Sequence, residues 1–143
     1  MPDSTNPDPH LTRIASEASA LQHALRRGPT DRASALATRI NDAQQLGATA
    51  LRLFLTLGAQ ASPPTPADLL HLHQVAQIAK AAQDAAAELA AALARGVENQ
   101  RRADTASGRV VLIGPTPQQF IASAADLLDP IPALCHVMSH DRQ

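Results

Sequence analysis

The chain has no tryptophan and no tyrosine, and only two phenylalanines, Phe54 and Phe120. A surface without Trp or Tyr offers little on which a base or a sugar can stack, which argues against single-stranded nucleic acid and carbohydrate as ligands. Valine and isoleucine are also scarce, and a strand-rich fold depends on β-branched and aromatic side chains. A single cysteine, Cys135, excludes an intrachain disulfide. Neither sign of charge is in excess: 12 basic residues face 13 acidic ones, so nothing draws the chain as a whole to nucleic acid or an anionic membrane. The longest apolar run, Leu46 to Leu57, carries Arg52 and is far shorter than the ~20 residues of a membrane span. The start, Met1 to Pro9, is polar and proline-rich, unlike a secretory leader. These features predict a soluble cytoplasmic protein with no membrane partner.

Catalytic signatures are missing too. There is no glycine-rich phosphate loop, no Gly-x-Ser-x-Gly elbow and no His-Glu-x-x-His. Glu17, Glu88 and Glu98 are the only glutamates, and none has a histidine three residues later, as a di-iron bundle needs. Cys135 precedes His136 directly, but neighbours on a helix do not face each other, so the thiol reads as a core residue. The segment Pro132 to His140 has few of the Arg, Asn or Gln side chains that read base edges, which argues against a helix-turn-helix. No cofactor is implied, and the balance leans away from an enzyme.

What is present is helix former. Thirty of the 143 residues are Ala and eighteen are Leu, both of high helix propensity. The length suits one domain. Asp8-Pro9 reads as a cap and first helical residue, followed by Leu11, Ile14, Ala18, Leu21 and Leu25 at spacings of three and four. Arg26 and Arg27 fill the last turn before Gly28-Pro29. A second helix, capped by Thr30 or Asp31, follows Leu36, Ile40, Ala43, Gly47, Ala50, Phe54 and Leu57 over about 27 residues, roughly 40 Å. Extra leucines at positions 46, 51, 53 and 55 suggest that it is central and buried on more than one side. Gly58 is its expected end, and 62–66 the turn.

Thr65-Pro66-Ala67-Asp68 approaches a capping box. The third helix then carries Val75, Ile78, Ala82, Ala85, Leu89 and Ala92, and runs to Arg95 or to Arg102. The stretch 103–108 reads as a loop. Arg109 to Ile113, the one β-like run, has no partner strand and reads as extended packing or a short helix. Thr116-Pro117-Gln118-Gln119 is a full capping box opening a short helix through Leu128, and Pro132 starts a last one. The expected fold is all-α: an antiparallel helical bundle of three longer helices plus one or two short C-terminal helices. Residues 1–8 form a disordered tail and 9–140 a single domain.

A turn centred near Ser62 sets Ala43 opposite Ala81 and Gly47 opposite Gln77, giving a slim seam of small residues. It also gathers Arg26, Arg27, Arg32, Arg95, Arg101, Arg102 and Arg109 at one pole, diluted by Asp31, Glu98 and Asp104. That pole is a candidate anion or partner site, or a set of C-terminal arginines complementing helix dipoles. Asp8, His10, Asp68, His71 and His73 fall at the other pole. His71 and His73 point about 200° apart on a helix and cannot share a metal. His136 and His140, four apart, share a face and are the candidate metal ligands, with Cys135 and Asp141 nearby.

The core is thin, because Ala buries little area at ~25 cal/mol per Å². Burial against another copy or another protein would supplement it. The expected function is therefore non-catalytic: protein–protein interaction through apolar helix faces, with self-association foremost. The alternative is a module that binds a small phosphate-bearing anion at the arginine pole. An enzyme or zinc protein using His136 and His140 comes after both.

Overall fold

The computed structural model describes residues 8–105 and 114–141. The expected tail through Met1–Pro7, the β-like run and Arg109 lie outside the described residues. Five helices follow in order: α1 Asp8–Arg27, α2 Ala33–Gln60, α3 Pro66–Thr105, α4 Pro117–Leu127 and α5 Pro130–Asp141. The fold is an all-α helical bundle.

The local chemistry explains most boundaries. α1 ends at Gly28-Pro29: the Gly28 N–H still donates to the Ala24 carbonyl at 2.8 Å, in a position where a Cβ would stand 2.7 Å from that oxygen, and Pro29 has no N–H to carry the helix on. α3 opens on a reciprocal box. The Asp68 amide donates to Thr65 Oγ1 at 3.1 Å, and the Thr65 amide donates to Asp68 Oδ2 at 2.9 Å. α4 opens the same way, with Gln119 N donating to Thr116 Oγ1 and Thr116 N donating to Gln119 Oε1. α5 starts at Pro130, two residues before the expected Pro132. Both prolines fall in its first turn, where no intrahelical N–H is needed.

Three expectations need correction. α2 is capped by neither Thr30 nor Asp31: Arg32 holds the cap position in extended conformation, with no side-chain bond. Burial of Leu36 and the stripe behind it outweighs a missing cap of ~1 kcal/mol. Gly58 does not end α2, and α3 runs through Gly96 and past Arg102 to Thr105, into the stretch 103–108 expected as a loop. One helical glycine costs only about 1 kcal/mol, and good helix formers follow each. Nor is α2 buried on several sides: Leu46 and Leu53 are buried, whereas Leu51 and Leu55 are exposed.

The reason lies in the arrangement. α2 packs along α3, α3 also meets α4 and α5, and α1 closes the ring against α2, α4 and α5. The two short helices together form the fourth member of a four-helix bundle. A ring of four has no central helix, so each member keeps an outward face. Leu11, Ile14, Leu46, Ile78, Leu89, Leu128, Ile131 and Met138 fill the middle, and no polar or charged residue is buried among those described.

The α2–α3 seam is built of small residues, with Ala43, Gly47, Ala50, Ala79, Ala82 and Ala86 buried. Its register differs from expectation. Gly47 faces Ala82 and Gln83 rather than Gln77, and Leu57 lies level with Leu72. α2 runs on to Gln60, which moves the fold-back point toward the C-terminus. The helices are also unequal. α3 passes Arg32 and Pro117 near Gly96 and lines clefts with them as far as Gln100, so Arg101–Thr105, exposed throughout, extends beyond them by about 8 Å at 1.5 Å per residue. At the opposite end, α1 lies alongside α2 with Leu21 near Arg39 and Asp42. Its first turn therefore comes about level with Leu55, and the α2–α3 hairpin tip extends past it.

The stretch Pro117–Asp141 is apolar and long enough to cross a membrane by length and composition. In the bundle it is interrupted at Leu128–Asp129 and packs on α1 and α3.

Candidate functional site

Four leucines stand out of the surface toward the hairpin tip: Leu51 at 48 % exposure, Leu55 at 70 %, Leu69 at 54 % and Leu70 at 51 %. Helix geometry places three of them. Each residue turns the chain by 100°, so Leu51 lies a full turn beyond Gly47 and about 40° further out, and Leu55 about 40° beyond that. On α3, Leu69, Ala76 and Gln83 are seven residues apart and fall close to one line. Gln83 lies over Gly47: a Cβ there would be 2.6 Å from its Nε2. Leu51 and Leu55 thus bank one side of the outer α2–α3 groove, and Leu69 and Ala76 the other. Gly58, eleven residues after Gly47, returns to the same line. Nothing lies within 4 Å of where its Cβ would stand, so the groove is open there. Leu70 turns 100° away from Leu69 and leaves the groove.

The sequence carried a signal for this face in the leucines at 51 and 55, which fall off the helical stripe. Periodicity alone does not tell such leucines from a second buried face. Arg52 donates to Thr49 Oγ1 at 3.2 Å, and α2 has no basic residue in its last turn. Gln60, Ala61, Asp68, His71 and Leu72 surround a shallow recess at the tip.

The arginine pole is partly neutralised. Arg26 reaches Asp126 at 3.0 Å and Asp129 at 3.4 Å, acids that the sequence reading left out of the pole. Gln22 donates to the Ala125 carbonyl at 2.8 Å and to Asp129 Oδ1, tying α1 to the α4–α5 junction. Arg101 and Arg102 both grip Glu98, at 2.7 and 2.9 Å. Hydrogen bonds from Arg101 and then Arg102 hold the Glu98 carboxyl down to about 2. Arg95 lies against Gly114, where a Cβ would stand 3.0 Å from its guanidinium and where a φ of +93° favours glycine. Arg27 and Arg32 make no ion pair among the described residues. Arg32 lines a cleft with Thr30, Asp31, Leu36, Leu93 and Gln100. The pole therefore holds the α1 and α3 ends in place more than it presents free positive charge.

His136 and His140 do share a face of α5, with stacked rings 5.9 Å apart. Cys135 turns into the core, where burial pushes its thiol up to about 11. No group of three His, Cys, Asp or Glu side chains that could hold a metal occurs among the described residues.

No family model matches the chain, and no curated protein or solved structure matches it significantly. The functional reading therefore rests on the geometry alone.

Proposed function

We propose that this protein is a non-catalytic helical-bundle module that works by protein–protein contact, above all with itself. The observation that supports it is the leucine-banked groove of the α2–α3 hairpin. Single exposed leucines are ordinary. Leucines lining both sides of one groove form a patch of the kind that marks interaction sites. A core in which alanine fills much of the α2–α3 seam gives such added burial a physical motive. The protein is proposed to act in water, in the cytoplasm. Asp126 and Asp129 sit in the middle of the apolar stretch Pro117–Asp141, and each would cost about 2.5–3.5 kcal/mol at the centre of a bilayer. Equilibrium sedimentation tests the reading. A mass that rises from monomer toward a multiple between ~1 and ~200 µM supports it, and a constant monomer mass removes it.

The anion-binding alternative has less behind it, since Arg26, Arg101 and Arg102 are already paired with acids.

A further inference from the structure

We propose that His136 and His140 form an open chelate for a divalent transition ion, Cu2+ foremost, held by two ring nitrogens on the outer face of α5. The site is separate from the α2–α3 groove and does not depend on self-association. Ile131, Cys135 and Met138 mark the core side of α5, and all three are buried. At 100° per residue, His136 and His140 fall on the side opposite, about 40° from each other. Both are exposed. Their rings already stack, with centroids 5.9 Å apart and planes 25° from parallel. Neither makes a hydrogen bond or an ion pair among the described residues. Histidines at i and i+4 on one helix face are the pair that supplies two ligands in His-x-x-x-His metal sites. Imidazole nitrogens bind such ions at about 2.0–2.1 Å, so two of them on one ion stand about 3 Å apart. The ring edges must therefore tilt together. That tilt takes place in solvent and moves no core residue.

The donor set chooses the ion. Imidazole suits Cu2+, Ni2+ and Zn2+, whereas Cu+ is selected by soft sulfur. The sulfur-bearing residues of α5 are Cys135 and Met138, at 2 % and 0 % exposure on the core side, so neither can join the pair. A structural zinc site takes four protein ligands. No third His, Cys, Asp or Glu completes such a group among the described residues. Two imidazoles fill neighbouring positions of a tetragonal Cu2+ site and leave the others to water, and Cu2+ stands above Ni2+ and Zn2+ in affinity for a given nitrogen site. The helix adds a second attraction. His140 lies in the last turn of α5, where the free carbonyls make a negative pole, and exposed Asp141 follows it. An ion gripped by residues 136 and 140 spans that turn and sets positive charge against both. It also ties the last turn to the one before, so it binds folded α5 in preference to a frayed one.

The test titrates the full chain with Cu2+ alone, followed by calorimetry in a non-coordinating buffer and by electron paramagnetic resonance. One ion per chain is expected at the tight site, with coupling to two nitrogens. His136→Ala and His140→Ala are each expected to weaken binding about tenfold or more, because losing either end removes the chelate. The double variant is expected to weaken it little further. Both positions are exposed and Ala is a strong helix former, so circular dichroism should show each variant folded. His23→Ala and His71→Ala, elsewhere in the chain, are expected to leave the affinity unchanged. Cu2+ is expected to raise the melting temperature of the wild type and of His23→Ala, but not of His136→Ala/His140→Ala. If neither single variant weakens binding, or the double variant costs the product of the two, the histidines act separately and the chelate is wrong. One ion per two chains would replace the open site by a bridge between copies. Loss of the tight site in His71→Ala would move it to the other pole.

Discussion

Cys135 sits at 2 % exposure on the core side of α5, and burial raises its thiol from 9.0 to about 11. At neutral pH it carries almost no thiolate, the reactive form. Ellman's reagent is therefore expected to modify the native protein only as fast as α5 opens, and at full rate in denaturant. A native rate equal to the denatured one would contradict this. The sign for stability follows from the raised value. The folded state favours the neutral thiol, so this contribution is complete below about pH 9 and declines as the pH rises toward 11. Gln74 is the converse case. Its side-chain oxygen is shut off from solvent with no hydrogen-bond partner among the described residues. An unmade bond of this kind costs about 1–3 kcal/mol, so Gln74→Leu should leave the melting temperature unchanged or raise it. A clear fall would show that the amide has a partner.

At the level of single helices, the overhanging end of α3 depends on one carboxylate. Glu98 titrates at about 2 in the folded chain against 4.5 ordinarily, so its grip on Arg101 and Arg102 is whole above about pH 4.5 and lost as the pH falls toward 2. The protection factors of amides 98–105, taken against the intrinsic exchange rate at each pH, are expected to fall over that window and to be low at neutral pH in Glu98→Gln. Unchanged protection would count against the clasp. The α2–α3 seam makes the opposite demand, for emptiness. Ala82 is fully buried across from Gly47, and Ala82→Leu is expected to cost about 1–3 kcal/mol by forcing the helices apart. Denaturant melts would measure it. These elements differ in how plainly the sequence announced them. The α1 stripe of Leu11, Ile14, Ala18, Leu21 and Leu25 is wholly buried, because a long periodic pattern leaves one solution. The boxes at Thr65 and Thr116 are local and formed as spelled. The caps of α2, its end and its register depend on how far tertiary packing carries a helix past a glycine, which no local pattern states.

For the molecule as a whole, helix type and number were legible, but the ring was not. That α4 and α5 act as one fourth helix follows from their both meeting α1 and α3. Asp126 and Asp129 look like ordinary surface acids until α1 is laid beside them, so the sequence offers no acidic partner for Arg26. Leu51 and Leu55 likewise look buried until the ring assigns α2 an outside. The overhang of α3 has a further consequence. Arg101 and Arg102 stand exposed beyond the neighbouring helices, while Ile121, Leu128, Ile131 and Met138 hold α4 and α5 in the core. Trypsin is expected to cut there first under native conditions, and the two pieces should elute together until denatured; separate elution in buffer would show otherwise. The bundle would then be severable: three helices on one polypeptide and two on another, able to find each other again as a reconstituted pair.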